Sequence, residues 1–319
     1  MAGYAFKFPS PDGGGQGGSC TLPAGMRRAV SLLSILVLAG CGSRAATTST
    51  SATPNPTVES LASPTPSPAA GKSNQDAVLG PAGMTLQQEI GAVMMVGFTG
   101  PPTRAILEDW RQHQFGGLIV VPLNQNGGDA AAIRQLIQSV RGVMRRPLMA
   151  ATNPEEGAAH SEPVRTSREL KALGFDINLA PVAGAHDVTA AIADIHAAGM
   201  YAVAQDSTDF RAVIAAHVEF VVVEHLKVPS ISVPKDLGYQ GVIISDDLQT
   251  TAVSPQNPPA AAVRFLKNGG DMVIVAHDIA VADATYAAIH AAVLIGSYPR
   301  AQLDGSVQKL LSLGLRYMP

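Results

Sequence analysis

Along residues 81–319, eight short apolar runs alternate with segments whose apolar residues recur at three-to-four spacing. The runs lie near 92–96, 118–121, 148–151, 175–179, 200–204, 218–223, 241–244 and 271–275. Each suits a strand buried on both faces and is too short for a packed helix. The segments between them, such as 130–143, 188–198, 260–267 and 281–294, carry the single apolar stripe of an outer helix. Strand and helix in strict alternation give a parallel sheet with crossover helices. With eight strands in about 240 residues, close to the ~250 typical of the fold, the expectation is an α/β protein with a single (β/α)8 barrel domain. An open doubly wound sheet is the alternative, but neither GxGxxG nor GxxxxGK[ST] follows any of the runs. A composition with 46% hydrophobic and 15% charged residues suits one compact domain with a large core.

The chain ahead of residue 81 is of a different kind. Residues 26–41, MRRAVSLLSILVLAGC, place Arg27 and Arg28 before an apolar run and small residues before a cysteine, which is the order of a secretory signal. The apolar run, 29–38, is shorter than the roughly 20 residues of a membrane-spanning helix. Leu38-Ala39-Gly40-Cys41 resembles the bacterial lipobox, which implies a lipid on Cys41 and cleavage just before it. Residues 1–25 read as an upstream extension, with translation starting at Met26. Residues 42–80, rich in Ser, Thr, Pro and Ala, bury too little surface to offset their ordering entropy and read as a disordered linker. Such a tether reaches on the order of 30 Å. The expectation is an exported lipoprotein facing the cell wall or periplasm, meeting the membrane through its lipid anchor only. The chain has 2 cysteines, Cys20 upstream of the cut and Cys41 at it, so the mature domain has no disulfide. A net charge of −3 with no basic stripe excludes nucleic acid as a natural partner.

In a (β/α)8 barrel, chemistry gathers where strands end. That rule selects Asn124, Asn153 with Glu155 and Glu156, residues 181–186, Gln205 with Asp206, Glu224 with His225, Ser245 to Asp247, and His277 with Asp278. The most informative run is Gly241-Val-Ile-Ile-Ser-Asp-Asp-Leu248, an apolar strand emptying into two acids. Two carboxylates there are costly unless solvated, paired or employed, and a polar strand end or helix cap is the plainer reading. Glu224 and His225 read either as a carboxylate and imidazole pair facing Asp246 or as groups that satisfy each other at the rim. His186, His196, His217, His277 and His290 are scattered without HExxH or paired spacing, so neither a metal site nor a cofactor is expected.

Several stretches match, in order, the N-terminal domain of glycoside hydrolase family 3. They are Leu86-Gln-Gln-Glu-Ile-Gly-Ala-Val-Met-Met-Val-Gly-Phe98, Phe115-Gly-Gly-Leu-Ile-Val-Val121 and Glu169-Leu-Lys-Ala-Leu-Gly-Phe-Asp-Ile-Asn-Leu-Ala-Pro-Val182. The SDD run and Ala261-Ala-Val-Arg-Phe-Leu-Lys-Asn-Gly-Gly-Asp-Met272 complete the set. The chain resembles in particular the bacterial β-N-acetylglucosaminidases that act on peptidoglycan fragments. The resemblance implies a retaining mechanism with Asp246 as the nucleophile, and Asp247 orienting its neighbour or capping the next helix. His225, Glu224 and Glu156 are the candidate supporting residues, and His225 matches a histidine common in the family. Cell-wall glycan or peptidoglycan fragments are the implied partners.

The sequence also departs from the family. Family members supply the general acid/base from a Lys-His-Phe-Pro-Gly-His-Gly loop after strand five, whereas here Val203-Ala-Gln-Asp-Ser-Thr208 runs almost directly into a helical segment. The family's Asp-Gln-Glu-Gly-Gly-Arg run faces Asn153-Pro-Glu-Glu-Gly-Ala-Ala159, and the Asp after Ala-Pro-Val is replaced by Ala183-Gly-Ala185. Two functions follow as expectations: an impaired β-N-acetylhexosaminidase, or a catalytically degenerate barrel that binds glycan or protein at the envelope. A Schiff-base lyase using Lys227 is a third class, set aside because Lys227-Val-Pro229 reads as solvated rim.

Overall fold

The computed structural model describes residues 79–153, 166–179, 188–205, 210–223, 236–249 and 257–314. Its strands are β1 (Met94–Val96), β2 (Gly117–Val120), β3 (Met149–Thr152), β4 (Ile177–Asn178), β5 (Val203–Gln205), β6 (Phe220–Val223), β7 (Val242–Asp247) and β8 (Met272–Val275). Around them lie helices α1 (Leu86–Ala92), α2 (Arg104–His113), α3 (Ala130–Arg141), α4 (Ser167–Leu173), α5 (Val188–Ala197) and α6 (Phe210–Ala215). Helices α7 (Pro258–Lys267), α8 (Ile279–Leu294) and α9 (Arg300–Gly314) complete the described set.

All eight expected strands are present, every pairing is parallel, and their order is β4-β3-β2-β1-β8-β7-β6-β5. Pairing of β1 with β8 in the register Met94↔Val273, Met95↔Ile274 and Val96↔Val275 joins the two ends of the domain and excludes the open sheet. The seam between β4 and β5 closes through a parallel bridge, Ile177↔Tyr201, with Tyr201 N donating to Asp176 O at 2.9 Å. The result is a nearly closed (β/α)8 barrel. Strands β1, β2, β3, β6 and β8 are buried along their whole length, as runs covered on both faces must be.

The helices begin where side chains cap free backbone amides. Thr85 with Gln88 and Thr166 with Glu169 form reciprocal capping boxes at α1 and α4. Asp129 accepts from Ala131 N and Ala132 N at α3, and Asp278 from Ala280 N at α8.

Acids just before β4, β6 and β8 hold the floor of the barrel. Asp176, before β4, accepts from Ala150 N of β3 at 3.0 Å and pairs with Arg141 and Lys171. Glu219, before β6, accepts from Ala202 N and meets His196 Nε2, both at 2.9 Å. Asp271, before β8, accepts from Ile243 N of β7 at 2.9 Å, Ser306 Oγ at 2.9 Å and Lys309 Nζ at 2.8 Å. Each acid thus ties two neighbouring strands and an outer helix together at one point.

Close approach of three strands sets the top of β1. A Cβ on Gly97 would stand 2.1 Å from Ala276 O and 2.8 Å from Ile119 O, both backbone atoms of the flanking strand ends. Gly97→Ala is expected to destabilise the fold by about 2–3 kcal/mol. Denaturant unfolding checks this, with a shifted midpoint and an unchanged slope.

Between α2 and α8, His113 Nδ1 lies 2.9 Å from Asp109 Oδ1 and 3.7 Å from Asp283 Oδ1. Burial, and then the neighbouring Asp109 carboxylate, push the Asp283 carboxyl up from 3.8 to about 6. The Asp109 carboxylate beside it pushes the His113 imidazole up. Between pH 3.8 and about 6 the folded protein keeps a proton on Asp283 that the unfolded chain has released, so stability from this group is lost as pH rises through that window. The His113 contribution is full below its ordinary value of 6.5 and is lost at higher pH. Asp283→Asn is expected to remove the first fall and keep the second, read from unfolding midpoints between pH 3.5 and 8.

Candidate active site at the barrel mouth

Both acids of the SDD run sit inside β7, which continues through Asp247. This corrects the expectation of a strand ending at Ile244. The physical reason is a bulge. Ile244 pairs with Met272 and Asp247 with Ile274, so Ser245 and Asp246 together face Val273. One extra residue bends the strand and re-aims the side chain, a device common beside active sites. Ser245 stays buried, its Oγ accepting from Ile274 N at 3.0 Å. Asp246 is partly exposed at the C-terminal end of the strand, and its Oδ1 accepts from Asp247 N at 2.8 Å.

Asp247, only 3% exposed, braces the wall behind Asp246. Its Oδ1 accepts from Ala276 N at 3.0 Å and from Gln249 N at 3.2 Å, and its Oδ2 lies 3.2 Å from His277 Nε2. On the other side of the ring, His277 Nδ1 is 2.6 Å from Asn124 Oδ1. Asn124 Nδ2 donates to Ala276 O at 2.6 Å, which fixes the amide so that its oxygen faces the imidazole. Nδ1 must then carry a proton. Nε2 lies at ion-pair distance from Asp247 Oδ2, a buried oxygen that makes no hydrogen bond among the described residues. Gln249 Oε1 accepts from His277 N at 2.8 Å and Asp278 N at 3.1 Å, and locks the turn after β8.

This arrangement sorts the roles. Held by Asn124 on one side and facing Asp247 on the other, His277 is a positioning group beside two successive carboxylates. Asp247 is structural as well as electrostatic: it caps the turn at Gln249 and ties β7 to β8, a wider role than orienting its neighbour. Asp246 is the partly exposed carboxylate of the pair, at the C-terminal end of the strand. Strand β5 ends at Gln205 and α6 begins at Phe210.

The barrel brings Asp246 and Asp247 to its C-terminal mouth as expected. It also joins Asn124, Asp247 and His277, which the strand-end rule had selected separately. Glu224, His225, Glu156 and Cys41 lie outside the described residues. Sequence reasoning missed Gln249 as a lock for the β8 turn, and His113 with its two aspartates on the outer helices. Only the spacing of Asp109 and His113, i and i+4 on one helix, was a usable signal for the latter.

No family model matches the sequence, and no curated protein matches it. Solved structures do share the fold. A glycoside hydrolase family 3 β-N-acetylglucosaminidase from Paenibacillus sp. aligns at 22% identity and TM-score 0.62, over 73% of this chain and 63% of that one. A fungal multi-domain family 3 β-N-acetylglucosaminidase aligns at 19% and TM-score 0.60, over 74% of this chain and 40% of its own length. The chain therefore spans less than two thirds of either enzyme. A β-N-acetylhexosaminidase from Beutenbergia cavernae, at 20% identity and TM-score 0.58, is covered over 99% of its length by 73% of this chain. The described residues have the (β/α)8 barrel fold of these glycoside hydrolase family 3 proteins.

Proposed function

We propose that this chain is an exported lipoprotein whose barrel acts on β-linked N-acetylglucosamine glycan of the cell wall, with Asp246 as nucleophile. The observation that supports the reading is the bulge in β7, where Asp246 is partly exposed at the C-terminal end of the strand next to the buried Asp247 and its neighbour His277. In the reaction, the Asp246 carboxylate attacks the anomeric carbon as the glycosidic bond breaks, giving a glycosyl-enzyme that water then hydrolyses. The leaving oxygen takes up a proton, and the family's acid/base run after strand five has no counterpart in 203–208. The enzyme therefore favours leaving groups that need little protonation. The lipid on Cys41 and the linker keep this chemistry near the membrane, within reach of wall glycan.

A second reading, a barrel that binds wall glycan without cutting it, is favoured by the same missing run. The full chain is incubated with an aryl β-N-acetylglucosaminide and with the corresponding disaccharide, beside Asp246→Ala and Asp246→Asn. Turnover of the aryl substrate that both substitutions remove supports the hydrolase. Equal inertness of all three, with calorimetric binding of wall fragments, supports the binding reading and rejects the hydrolase. The address is tested separately: Cys41→Ala should move the protein out of the membrane fraction, and an unchanged distribution rejects the anchor.

A further inference from the structure

The outer helices α2 and α8 follow β1 and β8, the strands at which the first and last units of the barrel meet. Across that boundary Asp109 and His113 of α2 face Asp283 of α8. One ligand atom from each lies within 4.8 Å of the other two. His113 Nδ1 stands 2.9 Å from Asp109 Oδ1 and 3.7 Å from Asp283 Oδ1. A tetrahedral ion with bonds of about 2.0–2.2 Å separates its ligand atoms by roughly 3.3–3.6 Å, between those two values.

The imidazole is held for this task. It stacks on Phe115, with ring centroids 5.2 Å apart and planes at 20°, and meets Tyr286 edge-on at 4.5 Å. The two rings fix the plane in which Nδ1 looks toward the carboxylates. His113 Nδ1, Asp109 Oδ2 and Asp283 Oδ1 are shut away from solvent and, among the described residues, make no hydrogen bond of acceptable direction. The 2.9 Å approach of Asp109 Oδ1 suits an ion pair and is off the line of a hydrogen bond. Shielded, convergent atoms left short of partners are costly in an apolar layer. Two carboxylates against one imidazole also leave net negative charge, which a divalent cation would discharge.

We propose that Asp109, His113 and Asp283 bind a divalent first-row cation of the zinc type through one imidazole nitrogen and two carboxylate oxygens, with water completing the shell. The mixed nitrogen and oxygen set suits zinc, cobalt or nickel, whereas calcium takes 6–8 oxygens. Three protein ligands leave a coordination position open, and the ion acts as a clip between the outer helices of the first and last barrel units.

The test uses the full chain, stripped with a chelator and titrated with zinc chloride by calorimetry, with thermal unfolding in parallel. Wild type is expected to bind one equivalent and to show a Tm that rises with zinc concentration. His113→Gln and Asp283→Asn should each weaken binding at least tenfold, while Asp246→Asn keeps it, which separates this site from the acids at the mouth. Asp283 is half-exposed, so its variant remains informative if the histidine variant misfolds, and circular dichroism checks both. Absence of saturable binding by wild type, unchanged affinity in Asp283→Asn, or loss in Asp246→Asn would each overturn the proposal.

Discussion

Asp246→Asn is expected to lower turnover of an aryl β-N-acetylglucosaminide by on the order of 10⁴-fold or more, with kcat carrying the loss. The asparagine keeps a carbonyl oxygen that can accept from Asp247 N, so the bulge survives and the unfolding midpoint should move by no more than ~0.5 kcal/mol. What is lost is the negative charge that forms the bond to the anomeric carbon. Asp247→Asn makes the useful contrast. Its amide oxygen still accepts from Ala276 N and Gln249 N, and its NH2 can donate to a neutral His277 whose other nitrogen keeps its proton for Asn124. The wall should stand while the carboxylate beside Asp246 becomes a neutral amide, so activity falls by less than in Asp246→Asn. Loss in Asp247→Asn equal to or greater than that in Asp246→Asn would assign the nucleophile to the wrong acid.

Asp271→Ala is expected to cost about 3 kcal/mol of stability. The substitution leaves the buried Ile243 amide without its acceptor and strips Ser306 and Lys309 of theirs. An orphaned buried donor costs about 1–3 kcal/mol. Lys309 is partly exposed and can turn to water, which limits its share of the loss. For a domain of this size the effect corresponds to a Tm lower by roughly 6–12 °C. Asp271→Asn keeps one acceptor for Ile243 N and should lose about half as much. A shift below ~1 kcal/mol in the alanine variant would mean that the floor of the barrel does not depend on this acid.

Local repeats made the barrel legible. Runs buried on both faces and stripes at helical spacing are properties of neighbouring residues, so eight strands and the helices at 130, 188, 258 and 279 could be read from the chain. Boundaries were less so. The residues at 200–202 read as strand by composition, yet β5 begins at Val203, with Tyr201 supplying only the bridge that closes the barrel. The extension of β7 to Asp247 was not readable, because it depends on a side chain that binds the next strand's backbone at Ala276. The floor acids did leave a trace: Asp176, Glu219 and Asp271 each stand just before an apolar run, where a charge makes sense only with a partner across the sheet.

The sequence by itself determined the order of strands and helices and the two acids at the end of the seventh run. Tertiary structure decided how those acids are held. It put one extra residue into β7 beside the partly exposed Asp246, and it brought Asp247 together with His277 and Asn124, residues far apart along the chain. It likewise set Asp283 against Asp109 and His113. Periodicity is a short-range property, whereas these groupings exist only once a closed sheet has brought its first and last strands side by side.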